Sequence, residues 1–277
     1  MTLNERIKKD LTEVYNGKKI FGAKELSSFI DVSTYGLPQH FTGNRKAKTV
    51  FVMLNPGKNT NKADRERKEN SDAAKSFDRN NVESFIKSYN CYLENFGKID
   101  RKFHPIDNFD LKQAHFLKKW EESGVTLPKN FRDEKSQADA KEAVIMQKLQ
   151  LELIPYCSGS FSTKTQINNL IFEYLETLFD EIFEQNRKYV IFGSRFFERV
   201  FKAYNKKERT PVIDLSVKEV RQKLTEKMSG RCKMIKINWK DKSCKAIIAY
   251  TFPSQALPNA PDLMEKYGDF CFEQYKK

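Results

Sequence analysis

The residues able to do chemistry gather where four short apolar runs give way to turns. Thr49-Val-Phe-Val-Met-Leu54 ends in Asn55-Pro56-Gly57-Lys58. Leu149-Gln-Leu-Glu-Leu-Ile154, which carries Glu152, runs into Pro155-Tyr-Cys-Ser-Gly-Ser160. Tyr189-Val-Ile-Phe192 ends in Gly193-Ser194, and Ala246-Ile-Ile-Ala-Tyr250 ends in Thr251-Phe-Pro-Ser254. These loops offer an amide, a carboxylate, hydroxyls and a cation. An amide can orient water but is a poor base, and an ionised carboxylate only accepts hydrogen bonds. No histidine joins them, because His40, His104 and His115 all lie elsewhere. The five cysteines (Cys91, Cys157, Cys232, Cys244, Cys271) are scattered and form no Cys-x-x-Cys. That argues against a disulfide framework, a zinc ribbon or an iron–sulfur cluster. No metal and no cofactor is expected. Each loop also has a plain structural reading. Pro56-Gly57 suits the centre of a type II turn, and Ser254 suits a helix cap with Pro258 as a breaker.

The elements that must position these loops follow from periodicity. The four apolar runs read as buried parallel strands, with helical stretches between them. The clearest helix spans about 163–185. Ile167, Leu170, Ile171, Leu175, Leu178, Phe179, Ile182 and Phe183 recur there at three- and four-residue spacing, and Ser162 or Thr163 could cap it. Weaker helices are expected near 3–15, 82–96, 110–122, 137–147, 194–204, 216–228 and 261–275. Cys232–Lys240 alternates as a strand, with a turn at Asp241-Lys-Ser leading into the Ala246 strand. The expected fold is an α/β three-layer α/β/α sandwich around a mainly parallel four-stranded sheet. Residues 1–277 read as a single domain, with 58–148 as a helical insertion in the first crossover. Ligands of such sheets bind beyond the carboxyl ends of the strands, where the four loops lie.

The chain has 277 residues, 50 Lys+Arg against 37 Asp+Glu, and a formal charge of +13. At 13% aromatic and 39% hydrophobic it is too apolar for a disordered chain. No apolar run approaches the roughly 20 residues of a membrane span, and the first residues lack the apolar core of a secretory signal. A cytoplasmic location is expected, with no membrane partner and no protein partner readable. The charge favours nucleic acid, DNA first. It is uneven: residues 202–245 hold 14 basic and 5 acidic side chains. This segment directly precedes the strand feeding the Pro-Ser loop, and Lys206, Lys207 and Arg209 within it are expected to bind DNA as a track for the phosphate backbone.

Taken in order at four successive strand ends, these motifs resemble the uracil-DNA glycosylase superfamily. Leu54-Asn55-Pro56-Gly57 is similar to the loop of its mismatch-specific thymine/uracil branch. Leu151-Glu-Leu-Ile-Pro-Tyr156 resembles the strand carrying the base-reading residue. Tyr189-Val-Ile-Phe-Gly193 resembles the third core strand, and Thr251-Phe-Pro-Ser254 the final His-Pro-Ser-type motif. The resemblance covers about half the chain and omits 58–148 and most of 202–240. It implies that a nucleotide is flipped from DNA into a pocket at the strand ends. Asn55 would position the water that attacks the sugar C1′. Pro56 and Gly57 would let backbone approach the base, and Lys58 would meet a phosphate. Ser254 would hold a phosphate of the flipped nucleotide, and Leu257 would fill the vacated stack. An ordinary core contact is the equal reading of Leu257. Phe77 or Phe41 would stack on the base. Phe252 stands where other branches have His, a departure shared with the Asn-Pro-Gly branch.

Glu152 departs from the family pattern, since relatives that read uracil often carry Asn on this strand. An ionised Glu would set a lone pair against uracil O4; it suits an edge with two donors. Glu152 is protonated in an apolar pocket, or the substrate is not uracil, or base excision is lost, or the match slips by one residue. The expected function is hydrolysis of the N-glycosidic bond of a flipped, damaged or mismatched base, with plain uracil a poor substrate. The alternatives are an inactive nucleic-acid-binding module on the same fold, and an α/β enzyme acting on a free nucleotide.

Overall fold

The computed structural model describes residues 1–15, 22–30, 38–55, 108–126, 143–156, 158, 161–208, 211–251 and 261–277. Along these run α1 (Leu3–Tyr15), α2 (Ala23–Leu26), β1 (Phe41–Gly43), β2 (Thr49–Met53), α3 (Asn108–Phe116), β3 (Leu149–Glu152) and α4 (Asn169–Glu184). They continue with β4 (Tyr189–Phe192), α5 (Phe196–Lys207), β5 (Ile213–Asp214), β6 (Val220–Thr225), β7 (Met228–Trp239), β8 (Lys242–Ala249) and α6 (Pro261–Lys276). The fold is α/β. The expected helix at 82–96 and most of the 58–148 insertion lie outside the described residues.

All four apolar runs are strands, and they stand side by side in the order β3-β2-β4-β8. β2 pairs parallel with β4, and β4 with β8. Every residue of β2 and β4 is buried, which is why neither shows an alternating pattern. The sheet is nevertheless not the four-stranded, mainly parallel one expected. It has eight strands, in the order β1-β3-β2-β4-β8-β7-β5, with β6 also on β7. β7 runs antiparallel to β8, β5 and β6, so the sheet is mixed. The anticipated hairpin between β7 and β8 is present, its turn at Lys240-Asp241 with Lys240 at φ 54°. The region 216–228 is not the expected helix. It forms β6 and the turn into β7, because pairing with β7 overrides a weak local preference.

The chain forms two compact units, each drawn from three segments. The first comprises 1–41, 53–91 and 151–181. Its core sets Leu3, Ile7 and Leu11 of α1 beside the apolar stripe of α4, including Ile171, Leu175 and Phe179, all buried. The stripe matches the expected helix, but the start differs. The Asn168 side chain accepts from the Ile171 N–H at 3.2 Å, so Asn168 supplies the cap and 163–168 stay outside the helix.

The second unit comprises 42–52, 92–150 and 182–277. Neighbouring residues of β7 point to opposite faces. Lys233 reaches Glu198 on α5, while Cys232 shares its face with Gly230, where an added Cβ would meet the Tyr267 ring on α6 at 2.8 Å. Helices therefore cover both faces of β7. Phe192 meets Phe197 and Phe201 of α5 edge-on at 5.0 Å, which anchors that helix to β4. On the other side α6 crosses α3 without room for a side chain at Gly268. A Cβ there would stand 1.9 Å from the Phe116 carbonyl oxygen, and Trp120 Nε1 donates to the Gly268 carbonyl at 3.0 Å. Gly268→Ala is expected to cost at least about 1–3 kcal/mol, because the helices must part. Urea unfolding measures this, and an unchanged midpoint would show that the crossing can yield.

Candidate functional site

The first cluster is built at the carboxyl ends of β2 and β3, within the first unit. β2 ends at Met53, and the chain bends through Leu54 and Asn55. Pairing continues past both strand ends. The Leu153 N–H donates to the Met53 carbonyl and the Ile154 N–H to the Leu54 carbonyl, both at 2.8 Å. Asn55 is the next residue, and its Nδ2 lies 3.5 Å from the Ser158 carbonyl oxygen. The other edge of β3 is gripped as well. The Glu152 N–H donates to the His40 carbonyl at 3.0 Å, and the Gln39 N–H to the Pro155 carbonyl at 2.6 Å. Residues 152–155 are thus held from both sides. The Glu152 side chain is only 4% exposed. In such a place water cannot substitute for a missing partner, so the hydrogen-bonding character of the carboxyl is decisive.

Behind this strand end lies a buried polar network that sequence reasoning missed. Asp10 takes three partners. Arg6 Nε stands 3.2 Å from its Oδ1, while His40 Nε2 lies 3.1 Å and the Tyr174 hydroxyl 3.0 Å from its Oδ2. Arg6 also donates to Glu173 at 2.9 Å, and its guanidinium carbon lies 3.9 Å from the Tyr174 ring centroid. Arg6, Asp10, His40 and Tyr174 are all buried. Burial, then the negative charge of Asp10, pushes the Tyr174 hydroxyl well above its ordinary range, so it stays a donor. A signal was present in α1. Residues 3, 6, 7, 10 and 11 share one face, and Arg6 and Asp10 occupy two positions of an otherwise apolar stripe.

A second cluster closes the carboxyl ends of β4 and β8 in the second unit. The Tyr250 hydroxyl donates to Glu198 Oε2 at 2.5 Å. Lys202 and Lys233 approach Glu198 Oε1 at 2.8 and 3.3 Å. Burial pushes the Glu198 carboxyl up. The hydrogen bonds from Lys202 and Tyr250 and the charges of Lys233 and Lys202 together outweigh it, holding the group at about 2. Arg195 lies 5.5 Å over the Tyr250 ring.

The structure brings Asn55 and Glu152 to neighbouring strand ends. Lys206 and Lys207 occupy the last turn of α5, roughly 16 Å along the helix from Phe196 beside the Gly193-Ser194 turn. Their charges favour the negative end of that helix, and Lys207 pairs with Glu208 at 3.6 Å. Pro56, Gly57, Lys58, Phe77, Arg209, Ser254 and Leu257 lie outside the described residues. Among the described residues, no group of His, Cys, Asp and Glu is placed to hold a metal ion, and no helix is long and apolar enough to cross a membrane. No protein-family model matches the chain, and no curated protein matches it.

The Glu198 cluster sets an acid dependence. A carboxyl lowered from about 4.5 to about 2 stabilises the fold above pH 4.5, and loses that contribution as pH falls toward 2. Lys202 is largely exposed and screened by solvent, so at neutral pH this amounts to about 1–2 kcal/mol. Glu198→Gln is expected to be less stable at pH 7, with the gap to wild type closing between pH 4.5 and 2. Urea midpoints across that range measure it, and a gap independent of pH would contradict the assignment.

Proposed function

We propose that the chain is a DNA-binding enzyme of the uracil-DNA glycosylase superfamily, built on a three-layer α/β/α frame. It hydrolyses the N-glycosidic bond of a flipped, damaged or mismatched base. The observation that carries this reading is the adjacency of Asn55 and Glu152 on two strand ends zipped together by the 153–53 and 154–54 hydrogen bonds. An amide that orients water and a carboxyl that reads a base edge must be close and rigidly related. Asn55 is a poor base, so the reaction it serves must need little activation of the nucleophile. Departure of the base leaves a cationic sugar, which the adjacent phosphates stabilise. Asn55 then only has to aim the water at C1′. Glu152, buried and limited to accepting when ionised, selects a base whose edge presents two neighbouring donors. Extruding such a base costs least where it is mispaired or damaged.

The test is a panel of single- and double-stranded oligonucleotides, each with one uracil, hypoxanthine, mismatched thymine, methylated or oxidised base. Abasic sites are read by alkaline cleavage. At least one base other than plain uracil is expected to be released. Asn55→Ala should slow that release by about 10²–10³-fold, in line with loss of one positioned polar group, while still binding DNA. DNA binding without release of any base would overturn the enzyme and leave the binding module.

A further inference from the structure

The hairpin of β6 and β7 outruns the rest of the sheet. β8 pairs with β7 only from Cys232 to Trp239, while β6 pairs with it from Val220↔Cys232 to Thr225↔Met228. Residues 222–230 therefore form a two-stranded ribbon, with the Arg221↔Arg231 pair at its base. β7 is antiparallel to β8, so this ribbon extends at the carboxyl ends of β8 and β4. It rises beside the start of the last loop, and the Tyr250 N–H donates to the Arg231 carbonyl at 3.0 Å.

The two faces of the ribbon differ. Leu224 and Gly230 sit on the face toward α6, where a Cβ at Gly230 would meet the Tyr267 ring at 2.8 Å. Arg221, Lys223 and Arg231 share the opposite face, since Arg221 pairs directly with Arg231 and Lys223 with Ser229. Arg221 and Lys223 are exposed, and Arg231 is half-buried. The acids nearby are already engaged. Glu198 serves Lys202 and Lys233. Glu219, at the foot of β6, is shared by Arg231 at 3.6 Å and Arg195 at 3.8 Å. Arg221 and Lys223 have no carboxylate partner among the described residues, and Glu226 lies in the tip turn beside Lys227.

Two arginines directly opposite each other across an antiparallel pair disfavour folding. Glu219 offsets Arg231 from the foot of β6 but is shared with Arg195, and an anion lying between the two arginines would remove the remaining repulsion. Successive residues on one face of a strand are about 6.6–6.8 Å apart, close to the step between neighbouring phosphates of one nucleic-acid strand. A two-stranded ribbon also fits the groove of a duplex.

We infer that the Arg221, Lys223 and Arg231 face of the β6–β7 ribbon lies along the phosphate backbone of a nucleic-acid duplex. This rests on the nucleic-acid reading above and names the surface that meets the duplex. Guanidiniums hold phosphates bidentately, and the bound counterions are released to solvent.

The experiment is fluorescence anisotropy of a short, undamaged, labelled duplex across a salt series. Wild type, Arg221→Gln/Lys223→Gln/Arg231→Gln, Lys223→Gln alone and Lys206→Gln/Lys207→Gln are compared, with thermal unfolding as a control. The triple variant is expected to bind at least about tenfold more weakly and to lower the salt slope by about 2–3. Lys223→Gln, at an exposed position, lowers the slope by about 0.9 even if the triple variant folds poorly. Lys206→Gln/Lys207→Gln binds within about twofold of wild type, because those groups lie at the far end of α5. Wild-type duplex binding with unchanged slopes in the ribbon variants overturns the ribbon assignment and leaves the proposed function standing. No binding of any nucleic acid by wild type overturns both. Binding of anionic vesicles or acidic peptide by wild type, without duplex, overturns this inference in favour of another partner.

Discussion

Asp10 is the residue on which the first unit depends. It is fully buried, and its carboxylate takes Arg6, His40 and Tyr174 at once. Removing it would leave a buried guanidinium with only the half-exposed Glu173 as counter-charge, the costly way to break an interior ion pair. The network ties α1 to α4 through Tyr174 and Glu173, and both to the chain before β1 through His40. The His40 carbonyl in turn receives the Glu152 N–H. An ion pair of modest net stability can still select one register for the strand end it abuts. Here that strand end carries the base-reading candidate.

The parallel core was legible because its strands are buried on both faces, so Val, Ile, Phe and Met run together without polar interruption. The α4 stripe was legible for the complementary reason, a one-sided burial that repeats every 3.6 residues. What escaped was set by pairing rather than local pattern. Residues 216–228 alternate weakly, and only β7 makes 220–225 a strand. The Asn168 cap was masked by Ser162 and Thr163, equally good caps six and five residues earlier. At the site, Asn55 and Glu152 were readable from their place at strand ends. The Asp10 network was not, because its members are spread from residue 6 to residue 174 and meet only in the folded chain. Glu198 and Tyr250 likewise join through space across 52 residues.

The positive charge of the chain separates into kinds with different physics. Arg6, Lys148 and Lys233 are interior cations, each paired with a carboxylate, and they hold elements together. Lys206 and Lys207 complement a helix end. Arg221 and Lys223 do neither, and the direct Arg221–Arg231 pair, offset only by Glu219 at the foot of β6, makes their strand pairing worse. A formal charge of +13 alone says little about a partner. Exposed cations that lack a carboxylate partner among the described residues and share one face of a ribbon say more.

The central claim is that the β2 and β3 ends form one pocket, with water aimed by Asn55 and the base edge read by Glu152. The most direct measurement is the ratio of single-turnover release rates for the best base and for uracil, in wild type and in Glu152→Gln. An amide can both donate and accept, so the account predicts that Gln moves the ratio toward uracil by tenfold or more, as one misplaced polar contact does. An unchanged ratio, or no release of any base by either protein, would contradict it.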